Sequence, residues 1–139
     1  MNTEVNAKVK ALGGNDFVLM LLRLVSIILL ALSAGYWAKL VGISDGLVRF
    51  DTMSIPWKVA ATTLVVLQPV AALGLWGGWR WGVVVWIITA LIEGVMYGLN
   101  SDIFGEAGLL LLFHLFAFLT YVVIVWVTSS LKSGSRNEI

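Results

Sequence analysis

The chain has 139 residues, of which 60% are hydrophobic and 12% charged, and its formal net charge is +1. Soluble domains carry about a quarter of their residues as charges, so a mean hydropathy of +0.96 excludes the soluble classes and places the chain in a membrane. With no cysteine it has no disulfide framework, thiol chemistry or iron–sulfur ligation of its own, and its nine Lys and Arg are too scattered for a nucleic-acid surface.

Residues 1–16 are polar and read as a tail. Four apolar segments follow, from about Phe17 to Leu40, Trp57 to Trp76, Trp81 to Leu99 and Gly108 to Thr128. Each approaches the roughly 20 residues needed to cross a hydrocarbon core about 30 Å thick. The first connection, VGISDGLVRFDTMSIP, has a turn signal at Asp45-Gly46, and Ser54 with Pro56 suits the cap and first turn of the second helix. GGWR, from Gly77 to Arg80, is a tight turn, NSDIFGEAG is short and acidic, and KSGSRNEI at 132–139 is a second polar tail. Short connections make neighbouring helices antiparallel. The expectation is an all-α membrane protein, an antiparallel bundle of four transmembrane helices over residues 17–131. A secretory signal is the rival reading of LVSIILLALSAG, but the apolar run continues through Tyr36, Trp37, Leu40 and Val41, which favours an uncleaved first helix.

The Lys/Arg bias sets orientation. Lys8, Lys10, Arg80, Lys132 and Arg136 fall on one side and Lys39, Arg49 and Lys58 on the other, so both termini are expected in the cytoplasm. Trp76, Trp79, Trp81 and Trp126 then mark one boundary and Trp37 and Trp57 the other, as an aromatic belt requires. Trp86 lies a turn inside, as a lipid-facing or packed residue, and Tyr36, Tyr97 and Tyr121 are expected to pack near the interfaces.

Within this frame Glu93, in LIEGVMYG, demands a partner, because an ionised side chain in hydrocarbon costs several kcal/mol unless paired, protonated or facing a polar cavity. At 1.5 Å per residue Glu93 lies about 12 Å from the outer boundary and His114, on the fourth helix, about 9 Å from it. A Glu93–His114 hydrogen bond is therefore expected, with Gln68 of the second helix joining from the side. Arg23 lies about 9 Å inside the cytoplasmic boundary and reads as a snorkelling membrane anchor. Arg23, Ser26, Leu30, Ser33 and Trp37 recur at spacings of three and four, a weakly polar stripe expected to face the bundle. Ala90, Gly94 and Gly98 form a small-xxx-small ridge for helix packing, and Gly74 with Gly78 forms a further pair. Asp45, Arg49 and Asp51 read as a solvated surface.

The pair Glu93 and His114 serves either as an interhelical clasp or partner contact, or as a proton relay, a quinone head-group site or a substrate-binding pair. One histidine cannot supply two axial haem ligands, no His/Cys cluster suits zinc or copper, and no phosphate loop follows a strand. No catalytic residue, metal site or cofactor is assigned.

The runs RLVSIILLALSAGYWAKLVGISDG, RFDTM, GLWGGWRWG and IEGVMYG resemble a family of small uncharacterised four-helix inner-membrane proteins of alphaproteobacteria. That resemblance implies topology and a bacterial inner-membrane location. The layout of Arg23, Gly35 and Lys39 on the first helix is also similar to DoxX-like proteins, which implies association with a redox partner or quinone. The resulting expectation is a non-catalytic accessory or scaffold component of a membrane assembly, with the lipid bilayer and another membrane protein or a second copy as partners and no nucleic acid. The alternative is a small redox-associated or ligand-handling protein using the Glu/His pair on a quinone, proton or lipid head group.

Overall fold

A computed structural model describes the backbone of residues 2–43 and 52–134. Helix α1 runs Asn2–Val41, α2 Ile55–Trp76 and α3 Arg80–Gly94. A π-helical turn, Val95–Leu99, continues α3; α4 is the single turn Ser101–Phe104, and α5 runs Gly108–Gly134. There is no strand among the described residues. Four stretches, 16–41, 55–76, 80–99 and 108–130, are long and apolar enough to cross a membrane. They match the segments read from the sequence to within two residues at every end. The protein is a multi-pass, all-α membrane protein.

Two details differ from the sequence reading. The amino-terminal stretch expected as a tail is helical from Asn2, so α1 is 40 residues long although only its part from Asp16 onward is apolar enough to span. Ala, Lys, Glu and Leu in that stretch are good helix formers, and extending an existing helix avoids the cost of nucleation. Ser54 does occupy the N-cap of α2, extended at φ −62° and ψ 155° and followed by Pro56, but its side chain makes no capping hydrogen bond. The turn expected at Asp45-Gly46, the surface residues Arg49 and Asp51, and 135–139 of the carboxyl tail lie outside the described residues.

The helices pack in a ring, α1 against α2, α2 against α3, and α5 closing on α1 and, less extensively, on α3. The α2–α3 contact is tightest beside their connecting turn, where Gly78 adopts φ +69°. A Cβ on Gly74 would stand 2.5 Å from Gly82 Cα, so the two backbones touch. The small-residue contact is therefore Gly74 with Gly82 across the helices, while Gly78 belongs to the turn.

Pro69 sits inside α2 and has no N–H to give the carbonyl of Val65 one turn earlier. In a bilayer a freed carbonyl must find a partner within the protein. Ser33 of α1 donates its hydroxyl to Val65 O at 3.4 Å, and Ser26 donates to Ala72 O at 2.8 Å. Both serines are buried, as the stripe reading expected, but Arg23, Leu30 and Trp37 of the same stripe are exposed. The buried face of α1 is centred on Leu22, Val25, Leu29 and Tyr36, which leaves those three at its edge.

Two apolar clusters fill the interior. Leu22, Val25, Leu29, Ala72, Leu75 and Trp86 form one toward the α2–α3 turn. Tyr36, Ala61, Leu64, Val65 and Met96 form the other toward the opposite face. Between them lies a polar layer, Ser33, Gln68, Glu93 and His114, all buried. Burial is uneven across the ring: half of the spanning window of α2 is buried (50%), against 11% for α5.

Candidate functional site: an intramembrane carboxylate cluster

The polar layer converges on Glu93, which is fully buried. On α3 it falls on the face that also carries Gly82, Trp86, Thr89 and Met96, the spacing of four and three that keeps residues on one side of a helix. Its Oε2 lies 2.6 Å from His114 Nε2 of α5. Its Oε1 accepts from Gln68 Nε2 of α2 at 2.9 Å and from Tyr36 OH of α1 at 3.3 Å. One carboxyl group thus ties α3 to each of the other three spanning helices. Tyr36 OH also lies 3.0 Å from Tyr97 OH, in the π-helical turn.

The protons of this cluster can be placed by elimination. The Trp86 indole N–H can only donate, and it lies 3.2 Å from His114 Nδ1, so Nδ1 carries no proton. The proton of neutral His114 therefore sits on Nε2 and points at Glu93 Oε2. An imidazolium would set two N–H groups against each other across the Trp86 contact. Glu93 receives three donors, from His114, Gln68 and Tyr36, the arrangement that suits a carboxylate. The contact with His114 is accordingly a charge-assisted hydrogen bond and not a pair of opposite charges. Tyr97 then donates to Tyr36, whose own hydrogen is committed to Glu93.

Gln68 Oε1 is buried without a hydrogen-bond partner. Turning the amide over would set that oxygen against Glu93 Oε1, acceptor against acceptor. The orphaned oxygen is thus a consequence of the carboxylate, and it costs about 1–3 kcal/mol. If Glu93 bore a proton on Oε1, the overturned amide oxygen would accept it, and the Gln68 NH₂ would take the place of the oxygen as the group without a partner.

The depth argument from the sequence brings Glu93, His114 and Gln68 to one place, and so does the structure. Trp86, Tyr36 and Tyr97 were missed as members. Trp86 stands seven residues before Glu93 and Tyr97 four after it, so the helical repeat alone puts both on the Glu93 face. The ridge Ala90, Gly94 and Gly98 is not a close-packing surface: a Cβ on Gly94 would meet nothing within 4 Å, and one on Gly98 only Leu111 Cδ1 at an ordinary 3.7 Å. Ala90 and Gly94 lie about 80° and about 120° around α3 from Gly82, which explains the space beside them. Arg23 stands apart from the cluster, exposed, with its guanidinium carbon 5.7 Å from the centre of the Trp76 ring. Among the described residues no three His, Cys, Asp or Glu side chains group as metal ligands.

Four spanning helices drawn together by one buried carboxylate define a small polytopic membrane protein with an intramembrane polar cluster. No curated protein and no solved structure matches the chain. The family does: the chain belongs to the family of unknown function DUF6163, which matches it over residues 16–132.

Proposed function

We propose that this protein is a non-catalytic accessory or scaffold component of a membrane assembly, held in register by the Glu93 cluster and offering the outer face of α5 to a protein partner or a second copy. The observation that carries this reading is the closure of the cluster: Glu93 has no exposed surface, and both of its oxygens are met by side chains from three other helices. A group meant to meet a substrate needs an approach, whereas a polar layer between two apolar clusters specifies which helix faces pair. The exposed Leu112, Leu115, Phe116, Leu119 and Val123 of α5 supply an apolar surface suited to lipid or to another helix. In the same reading the membrane is a bacterial inner membrane and both termini are cytoplasmic, following the Lys/Arg bias.

A second reading, proton or quinone handling by Glu93 and His114, is favoured by one feature, the unpartnered Gln68 Oε1, which gives a protonated Glu93 somewhere to donate. Association with a redox partner, implied by the DoxX-like layout, belongs with it. Purification in mild detergent separates the two. A protein partner, or a second copy, at fixed stoichiometry supports the first; a bound quinone with no protein partner overturns it.

A further inference from the structure

A second site, independent of the Glu93 cluster, opens on the lipid side of α1 at the end that carries the α2–α3 turn. A groove of about 520 Å³ runs there between α1 and the end of α2. Leu19, Met20, Leu24 and Ile27 line its length, Arg23 and Trp76 stand across it, and Asp16 forms its rim. The structure supplies its own ruler for depth. A Cβ on Gly78 would touch Leu19 Cδ2, so Leu19 is level with the turn that marks the end of the spanning segments. Counting along α1, Arg23 lies about 6 Å inside that level and Asp16 about 4.5 Å outside it. Side chains on a helix lean toward its amino terminus, so the long Arg23 side chain reaches from its deeper position toward the level of Asp16. Trp76 keeps the guanidinium in place from one side by a cation–π contact.

We propose that this groove binds a phosphatidylethanolamine-type phospholipid. The two charged side chains have opposite signs, and their order in depth is that of a zwitterionic head group. In such a lipid the phosphate lies next to the hydrocarbon and the ammonium farther out. Arg23 takes the phosphate through its fork of N–H donors, Asp16 accepts from the ammonium, and one acyl chain follows Leu24 and Ile27. A lipid whose head group is only anionic meets the Asp16 carboxylate at the rim. A choline head group presents no N–H to it.

The test uses the full-length protein in detergent, offered equal amounts of dioleoyl phosphatidylethanolamine, phosphatidylcholine and phosphatidylglycerol, with retained lipid counted by native mass spectrometry. The wild type is expected to retain the ethanolamine lipid over the choline lipid by roughly fivefold, the scale of one exposed ion pair. Asp16→Asn should abolish that preference while retention of the glycerol lipid rises, and Arg23→Gln should lose all three. Asp16 and Arg23 are exposed, so neither change disturbs the interior, and a circular-dichroism melt on each variant verifies this. Preference of the wild type for phosphatidylglycerol, or equal retention of the ethanolamine and choline lipids, overturns the proposal, as does an Asp16→Asn variant that keeps the wild-type preference.

Discussion

Replacing His114 by leucine leaves two buried groups without partners, Glu93 Oε2 and the Trp86 indole N–H. At the low end of about 1–3 kcal/mol per orphaned group the loss is about 2 kcal/mol. Glu93→Ala leaves two donors, on His114 and Gln68, since Tyr36 can turn its hydroxyl to Tyr97, and costs about 2 kcal/mol on the same scale. The double variant has two orphans, on Gln68 and Trp86, so it should also lose about 2 kcal/mol and not the sum of about 4. The difference is the coupling between the residues. Because an unfolded chain in a membrane also finds partners for its polar groups, the measured coupling should fall near the upper limit of about 1.7 kcal/mol seen for membrane hydrogen bonds. Glu93→Gln is the informative companion. Its amide oxygen can accept from His114, its NH₂ can donate to Tyr36, and Gln68 can turn over so that its orphaned oxygen also accepts. That variant should stay within about 1 kcal/mol of wild type. Unfolding by sodium dodecyl sulfate in mixed micelles, followed by the fluorescence of the seven tryptophans, measures the wild type and the four variants. Additivity of Glu93→Ala and His114→Leu to within about 0.3–0.5 kcal/mol would refute the shared hydrogen bond.

Gly82→Ala should destabilise by about 1–3 kcal/mol, because the new Cβ would stand 2.3 Å from the Gly74 carbonyl carbon and backbone cannot step aside. Gly94→Ala, with open space around it, should be neutral or stabilising by up to about 1 kcal/mol; the same detergent unfolding ranks the pair. Since His114 is the chain's one histidine, ¹⁵N-histidine labelling gives a single pair of ring signals, expected to show Nε2 protonated and Nδ1 bare. Trp86→Phe should release that constraint and admit the other tautomer; a wild-type Nδ1–H would contradict the proton placement. Reporter fusions at Asp45 and after Ile139 should report opposite faces of the membrane, with Ile139 cytoplasmic, and a cytoplasmic-only signal at Asp45 would invert the orientation.

The spans were legible because bilayer thickness imposes a length on apolar runs, and counting 1.5 Å per residue sufficed to put Glu93 and His114 at one depth. Rotation was harder to read than depth. Ser26 and Ser33 point inward while Arg23 and Trp37 do not, and spacings of three and four do not fix the centre of a face within the width of a stripe. The aromatic members were hidden by their ambiguity. Tyr36, Trp86 and Tyr97 suit an interfacial belt or an apolar core, and only the surrounding helices reveal which polar atom each one serves. Small residues mislead for a similar reason: Gly94 has the spacing of a packing ridge, but the α2–α3 turn had already committed Gly82 to the close approach. The link between Ser33 and Pro69 depends on which serine lies opposite the freed carbonyl, a matter of helix pairing that neither residue announces alone.

The thin attachment of α5 also acquires meaning in time. Helices reach the bilayer in the order of their synthesis, and 21 residues separate Glu93 from His114. At about 5–20 residues per second, the glutamate is made about 1–4 s before its histidine. Tyr36 and Gln68 come from helices already delivered, so one oxygen of Glu93 can be claimed on arrival while the other waits. The histidine of α5 then meets the remaining oxygen, so the helix made last carries the donor that completes the cluster.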